Sequence, residues 1–128
     1  MLNRVVVTGI GALTPIGLDV SSFWNNLSNS VSGAAPITHF DASKFKTQFA
    51  CELKNFEATN YIDKKELRKL DQFSVYALVS TQEAMEDSKF NLESLNLERC
   101  GVIWGSGIGG LNTMTKEVES YVLNNKIP

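Results

Sequence analysis

Phe73-Ser74-Val75-Tyr76-Ala77-Leu78-Val79 lies in a stretch, roughly Lys69 to Asp87, that reads as a helix. Its apolar side chains run almost all round the axis rather than along one stripe. Such a helix must be covered on more than one side, so it belongs in the middle of a layered fold. Just upstream, Asp63 offers an N-cap with Glu66 three residues on, a capping-box spacing that starts a short helix.

Working outward, Arg4 to Gly9 is a short β-branched run bounded by glycine, and Cys100-Gly101-Val102-Ile103-Trp104 is a second apolar run. Both have the pattern of strands buried on two faces, as in a parallel sheet. A glycine-bearing loop follows each, and then an amphipathic helix. Val20, Phe23, Trp24, Leu27 and Val31 mark the first of these helices, with Asp19 or Ser21 to cap it and Gly33 to end it. Leu111, Met114, Val118, Tyr121 and Val122 mark the second. From Ala35 to Asn60 the signals predict loops with short extended pieces. This alternation is that of an α/β protein. Two strands make a marginal sheet, however, and the central helix has too few neighbours to bury it. The chain is therefore expected to be part of a larger fold; the alternative is that a partner subunit supplies the missing layers.

The 128 residues carry 12 Lys plus Arg against 14 Asp plus Glu, a formal charge of −2, with 43% hydrophobic and 20% charged residues. That balance suits an ordinary globular chain and argues against wholesale binding of nucleic acid, which demands a basic excess. No apolar run approaches the ~18 residues of a membrane helix, and Gly9, Gly11, Thr14 and Pro15 interrupt any secretory leader. Cys51 and Cys100 stand far apart and outside any C-x-x-C spacing, which indicates neither a disulfide framework nor a metal site. They are expected to be buried thiols in a reducing cytoplasm.

Gly105, Gly107 and Gly110 satisfy G-x-G-x-x-G between the second strand pattern and the last helix, the placement of a dinucleotide fingerprint. The confirming acidic residue would fall beyond Pro128. A close approach of backbone to a neighbouring chain needs glycines equally. At the first loop the fit is poorer, because Thr14 stands where the third glycine should be.

Three stretches taken together carry a stronger signal: Arg4-Val5-Val6-Val7-Thr8-Gly9-Ile10-Gly11 with Thr14-Pro15-Ile16-Gly17, then Lys64-Lys65-Glu66-Leu67-Arg68-Lys69-Leu70-Asp71-Gln72-Phe73, then Gly105-Ser106-Gly107-Ile108-Gly109-Gly110-Leu111. In order and spacing they resemble the signatures of the β-ketoacyl-acyl carrier protein synthases, nearest to the type II elongation class. The resemblance implies a thiolase-like layered fold, α-β-α-β-α, of which residues 1–128 form an incomplete N-terminal part. It also implies a cytoplasmic homodimer catalysing a decarboxylating Claisen condensation in fatty-acid elongation. In that family a cysteine takes the acyl group, and two histidines stabilise the developing oxyanion.

By the same resemblance the nucleophile lies in a Thr-Ala-Cys motif beyond Pro128, with the histidines further on, so no catalytic residue is assigned within this chain and it is expected to be inactive alone. Cys51, in Phe49-Ala50-Cys51-Glu52-Leu53, and Cys100 do not match that motif. His39, the single histidine, reads as structural or exposed. No metal and no resident cofactor are expected, since phosphopantetheine arrives on the carrier protein. Lys64, Lys65, Arg68 and Lys69 form a basic cluster on one short helix. It is either a solvated face or, as the resemblance implies through Lys65, Arg68 and Lys69, a docking surface for the acidic acyl carrier protein. Ile108, the only large side chain among the glycines of its loop, would line the floor of the acyl pocket at the dimer interface. A nucleotide-binding oxidoreductase and a non-catalytic carrier-binding scaffold are the competing readings. No nucleic acid or membrane partner is expected.

Overall fold

A computed structural model describes residues 4–124, so that residues 1–3 and 125–128 lie outside the described residues. The chain divides into two compact units, one from residues up to 57 together with 79–91, the other from 58–78 together with the residues from 92 onward.

In the first unit, helix α1 spans Val20–Ser28. Extended Asp19 caps it: its carboxylate accepts the Ser22 N–H at 2.8 Å, and the Ser22 hydroxyl faces the Asp19 N–H at 3.4 Å, closing a capping box. The sequence suggests that Gly33 ends this helix, but the chain turns three residues earlier. Ser30 adopts the left-handed region at φ 57, with Ser30 N–H donating to Leu27 O and Val31 N–H to Asn26 O. Those two bonds make a Schellman closure on a serine where glycine is usual.

Two short strands, β1 (Ala35–Pro36) and β2 (Phe49–Ala50), pair antiparallel with Ala35 opposite Ala50, which agrees with the extended pieces expected there. Thr14-Pro15-Ile16-Gly17 is a tight turn closed by Gly17 N–H to Thr14 O at 3.2 Å, with proline at the position that favours its fixed φ.

The long helix, α3, spans Gln72–Ser88; its first part, to Leu78, belongs to the second unit and the remainder to the first. It begins three residues later than its sequence pattern suggests. The Lys69 and Leu70 N–H groups close back on Glu66 O and Leu67 O, and Asp71 O then accepts from Ser74 and Val75 to start the new helix. Val75, Val79 and Ser80 are buried, whereas Leu78 stays 48% exposed. In the first unit the loop after the opening run lies directly on this helix. A Cβ on Gly9 would sit 2.2 Å from Ala84 O, and one on Gly11 2.0 Å from Ser80 O. Only glycine allows backbone to approach helix that closely.

In the second unit, α2 (Lys64–Leu67) is capped by Asp63, whose carboxylate accepts from the Lys65 N–H at 2.7 Å. Helix α4 spans Leu111–Asn124, as its periodicity predicts.

The two strands expected at Arg4–Gly9 and Cys100–Trp104 do not form. Val5, Val7 and Ile103 are 88%, 83% and 100% exposed, and among the described residues the only ladder is the β1–β2 pair. A strand exists only through backbone partners, and neither run meets one here.

Candidate functional site

The second unit brings two of the sequence signatures together. Its short basic helix presents Lys64, Lys65 and Arg68, and Lys69 just after it, all exposed. Like charges at these spacings repel by a few tenths of a kcal/mol. Glu66 offsets part of this, with its Oε1 3.2 Å from Lys69 Nζ. That pair is open to solvent and contributes little to stability. The face remains net positive and available to an acidic surface.

Immediately beyond lies Asp71, whose carboxylate accepts from the Thr113 hydroxyl on the first turn of α4. Its other oxygen, Oδ2, lies 3.1 Å from the point a Cβ on Gly110 would occupy, and Gly110 itself takes φ +69. The ring of Phe73 closes on the neighbouring glycine, with Cε1 2.9 Å from where a Gly109 Cβ would be. Two of the loop's four glycines are thus required by close approach within the unit, while Gly105 and Gly107 face open space. Close approach within the unit therefore accounts for Gly109 and Gly110 alone, and the approach to a neighbouring chain expected from the sequence is not what the described residues display. Among the described residues no strand leads into the loop to aim it at a pyrophosphate.

Ile108 stands 76% exposed at the edge of a cleft of about 280 Å³, lined also by Asp71, Phe73, Gly110 and Leu111. That volume is near the lower end for small-molecule sites. Asp71, Phe73 and Thr113 were not singled out by sequence reasoning as site residues. The 42 positions between Asp71 and Thr113 leave no periodic trace of their contact.

The remaining candidates lie elsewhere. Cys51 and Cys100, expected to be buried, are both exposed. Cys51 immediately follows the edge strand β2, and Cys100 belongs to the run that finds no strand partner, its Sγ resting 3.4 Å from Asn96 O. His39 is 63% exposed, with Nε2 3.9 Å from Glu52 Oε1. Glu52 in turn accepts from the Thr38 hydroxyl at 2.7 Å and from its N–H, and these bonds, led by the hydroxyl, hold its carboxyl below the ordinary glutamate range. Among the described residues no group of three His, Cys, Asp or Glu side chains is arranged to hold a metal, and no helix is long and apolar enough to cross a membrane.

Residues 2–126 match the family model described as "Beta-ketoacyl synthase, N-terminal domain". The chain is 46% identical over 126 residues to 3-oxoacyl-acyl-carrier-protein synthase 2 of Staphylococcus aureus strain COL, and 42% identical to that of Synechocystis sp.. It covers 98% of itself but 30% of each of these relatives. Among solved structures, a ketosynthase bound to a hexaketide, in complex with a type II polyketide acyl-carrier protein, is similar at TM-score 0.77 and 28% identity, over 97% of this chain and 33% of that one. The ishigamide ketosynthase/chain length factor is similar at TM-score 0.74 and 26% identity, over 94% and 30%.

Proposed function

Because this chain belongs to the β-ketoacyl synthase family, matching its N-terminal domain, and shares the thiolase-like fold of the ketosynthases, we propose that it works within a condensing enzyme that lengthens acyl chains on carrier protein. The observation that carries this reading is the family match across residues 2–126, which takes in all three signatures in order.

In such an enzyme a cysteine thiolate outside the described residues takes the acyl group from carrier-bound thioester, releasing the carrier thiol. Malonyl carrier protein then loses carbon dioxide, and the resulting carbanion attacks the acyl-enzyme carbonyl, expelling the cysteine thiolate and forming the new carbon–carbon bond. Two histidines steady the negative oxygen that develops. This chain contributes surface and shape. Lys65, Arg68 and Lys69 attract the acidic carrier protein, which brings its own phosphopantetheine arm, and Ile108 borders the acyl pocket beside the partner subunit of a cytoplasmic homodimer. The exposed runs Val5–Val7 and Val102–Trp104 pair with strands supplied by the rest of such a synthase. No resident cofactor is needed for any of these steps.

The test replaces the matching segment of the Staphylococcus aureus relative with this chain and follows carbon dioxide release and acyl-carrier elongation. Condensing activity comparable to the parent supports the reading. A folded hybrid that loads acyl groups yet forms no carbon–carbon bond overturns it.

A further inference from the structure

Resting on the reading above, we propose that Asp71 is a positioning residue that fixes the Ile108–Gly110 turn and through it sets which acyl chain lengths the pocket accepts. Three observations within the second unit converge on it. Asp71 is anchored from below, since its carbonyl accepts the Ser74 and Val75 N–H groups at 3.0 and 3.1 Å and so ties its backbone to α3. Its carboxylate spans the loop end, one oxygen accepting from Thr113 Oγ1 and the other facing Gly110. Gly110 is in turn the pivot of the loop: its φ of +69 turns the chain, and its carbonyl accepts the Met114 N–H at 2.9 Å to start α4.

The bond runs to the side chain of Thr113 rather than to a free helix N–H, so it differs from an ordinary cap. A carboxylate at this helix end is also favoured by the helix dipole. Ile108 has no comparable hold of its own. It is exposed, glycine lies on both sides of it, and Gly107 and Gly105 meet nothing. Its placement therefore depends on the two points at which the loop is fixed, Phe73 against Gly109 and Asp71 against Gly110. Without the second, the Ile108 side chain samples a wider range of positions over the cleft that it shares with Asp71 and Phe73.

The experiment uses an intact synthase in which this chain supplies the N-terminal domain, with Asp71→Asn, Thr113→Val and Thr113→Ser. Two readouts are taken: the ratio of kcat/KM for short against long acyl primers, and amide hydrogen exchange across residues 105–111. Thr113→Val, which removes the donor, is expected to shift the primer ratio by about tenfold, with the KM for malonyl carrier protein unchanged, and to speed exchange in the loop about fivefold; Asp71→Asn, which keeps one accepting oxygen, is expected to move both in the same direction by less. Thr113→Ser, which keeps the hydroxyl, is expected to restore both. Parallel loss on all primers with a constant ratio, or loop exchange equal to that of the parent, overturns the proposal. If the parent itself elongates nothing, the condensing-enzyme reading fails, and loop exchange alone still decides whether Asp71 positions the turn.

Discussion

Glu83 Oε1 accepts the backbone N–H of Val20 at 2.7 Å across 63 positions of sequence, while its Oε2 accepts that of Ala12 at 2.8 Å. One carboxylate from α3 thus ties the first loop to the first residue of α1, where N–H groups lack intrahelical partners and the helix dipole favours a negative charge. One turn along, Asp87 repeats the device on the Ile10 N–H at 3.0 Å. Glu83→Ala leaves two partly buried N–H groups without acceptors and is expected to cost about 2–4 kcal/mol, taking 1–3 kcal/mol for each unpaired group and allowing some access of water. Glu83→Gln keeps one accepting oxygen and should lose roughly half as much. Urea denaturation of the intact protein measures both, and a neutral alanine variant would show that the bonds carry no net weight.

A methyl group at Gly11 meets Ser80 O at 2.0 Å, whereas one at Gly101 meets nothing within 4 Å. Backbone cannot yield as a flexible side-chain tip does, so Gly11→Ala should cost at least the ~1–3 kcal/mol of ordinary overpacking and abolish folding in a marginal background. Gly101→Ala should fall within about 0.5 kcal/mol of the parent, as surface changes do. Comparing the two melting temperatures separates close approach from glycine's backbone entropy. Equal losses would refute the packing account of the first signature.

What sequence could reveal divides along the same line. Helices α1 and α4 were legible because each writes its period into a run of neighbouring residues, α3 because of its long unbroken apolar stretch, and the Asp63 cap because it acts two residues away. Arg4–Gly9 and Cys100–Trp104 carry the pattern of strands, but strand formation is a property of pairs, and the described residues offer these runs no neighbour. The general habit of thiols predicts burial of Cys51 and Cys100, but both are exposed in the fold. Glu83 and Asp71 were missed because their partners lie 63 to 71 and 42 positions distant, and such contacts leave no local pattern.

Acid should weaken the hairpin region. The Thr38 hydroxyl and N–H stabilise ionised Glu52, lowering its carboxyl below the ordinary value of about 4.3. A depressed folded value means that the contribution is present above the unfolded value and is lost as pH falls through the folded one. Glu52→Gln is therefore expected to reduce stability at neutral pH and to flatten its decline on acidification below about pH 4. Denaturant midpoints recorded for parent and variant across that range give the answer. Identical acid profiles would exclude a role for Glu52 in acid lability.

Among the four exposed cations at α2, Lys69 alone has a carboxylate within 4 Å among the described residues, Glu66 at 3.2 Å. Lys65 and Arg68 should therefore contribute more to attraction of an acidic carrier protein. In an intact synthase carrying this chain, Arg68→Glu is expected to raise the KM for malonyl carrier protein several-fold more than Lys69→Glu. It should also flatten the salt dependence, because screening acts on long-range attraction. Small thioester substrates should be unaffected. Equal losses with carrier-bound and small substrates would instead mark a folding role for α2.

Ile108 decides whether the glycine loop borders a pocket or merely turns the chain. It stands at the edge of the cleft with Phe73 and Leu111 and is 76% exposed among the described residues. Ile108→Phe adds bulk where the far end of an acyl chain would lie, so long primers should clash while short ones still fit. Overpacking costs about 1–3 kcal/mol, which in a transition-state comparison is roughly a ten- to two-hundred-fold discrimination. Ile108→Ala should act in the opposite direction, shifting the ratio toward long primers. Primer series with both variants, alongside sedimentation to confirm an unchanged assembly state, distinguish the possibilities. Parallel loss on short and long primers, or dissociation of the assembly, would make Ile108 an interface filler and remove it from the pocket.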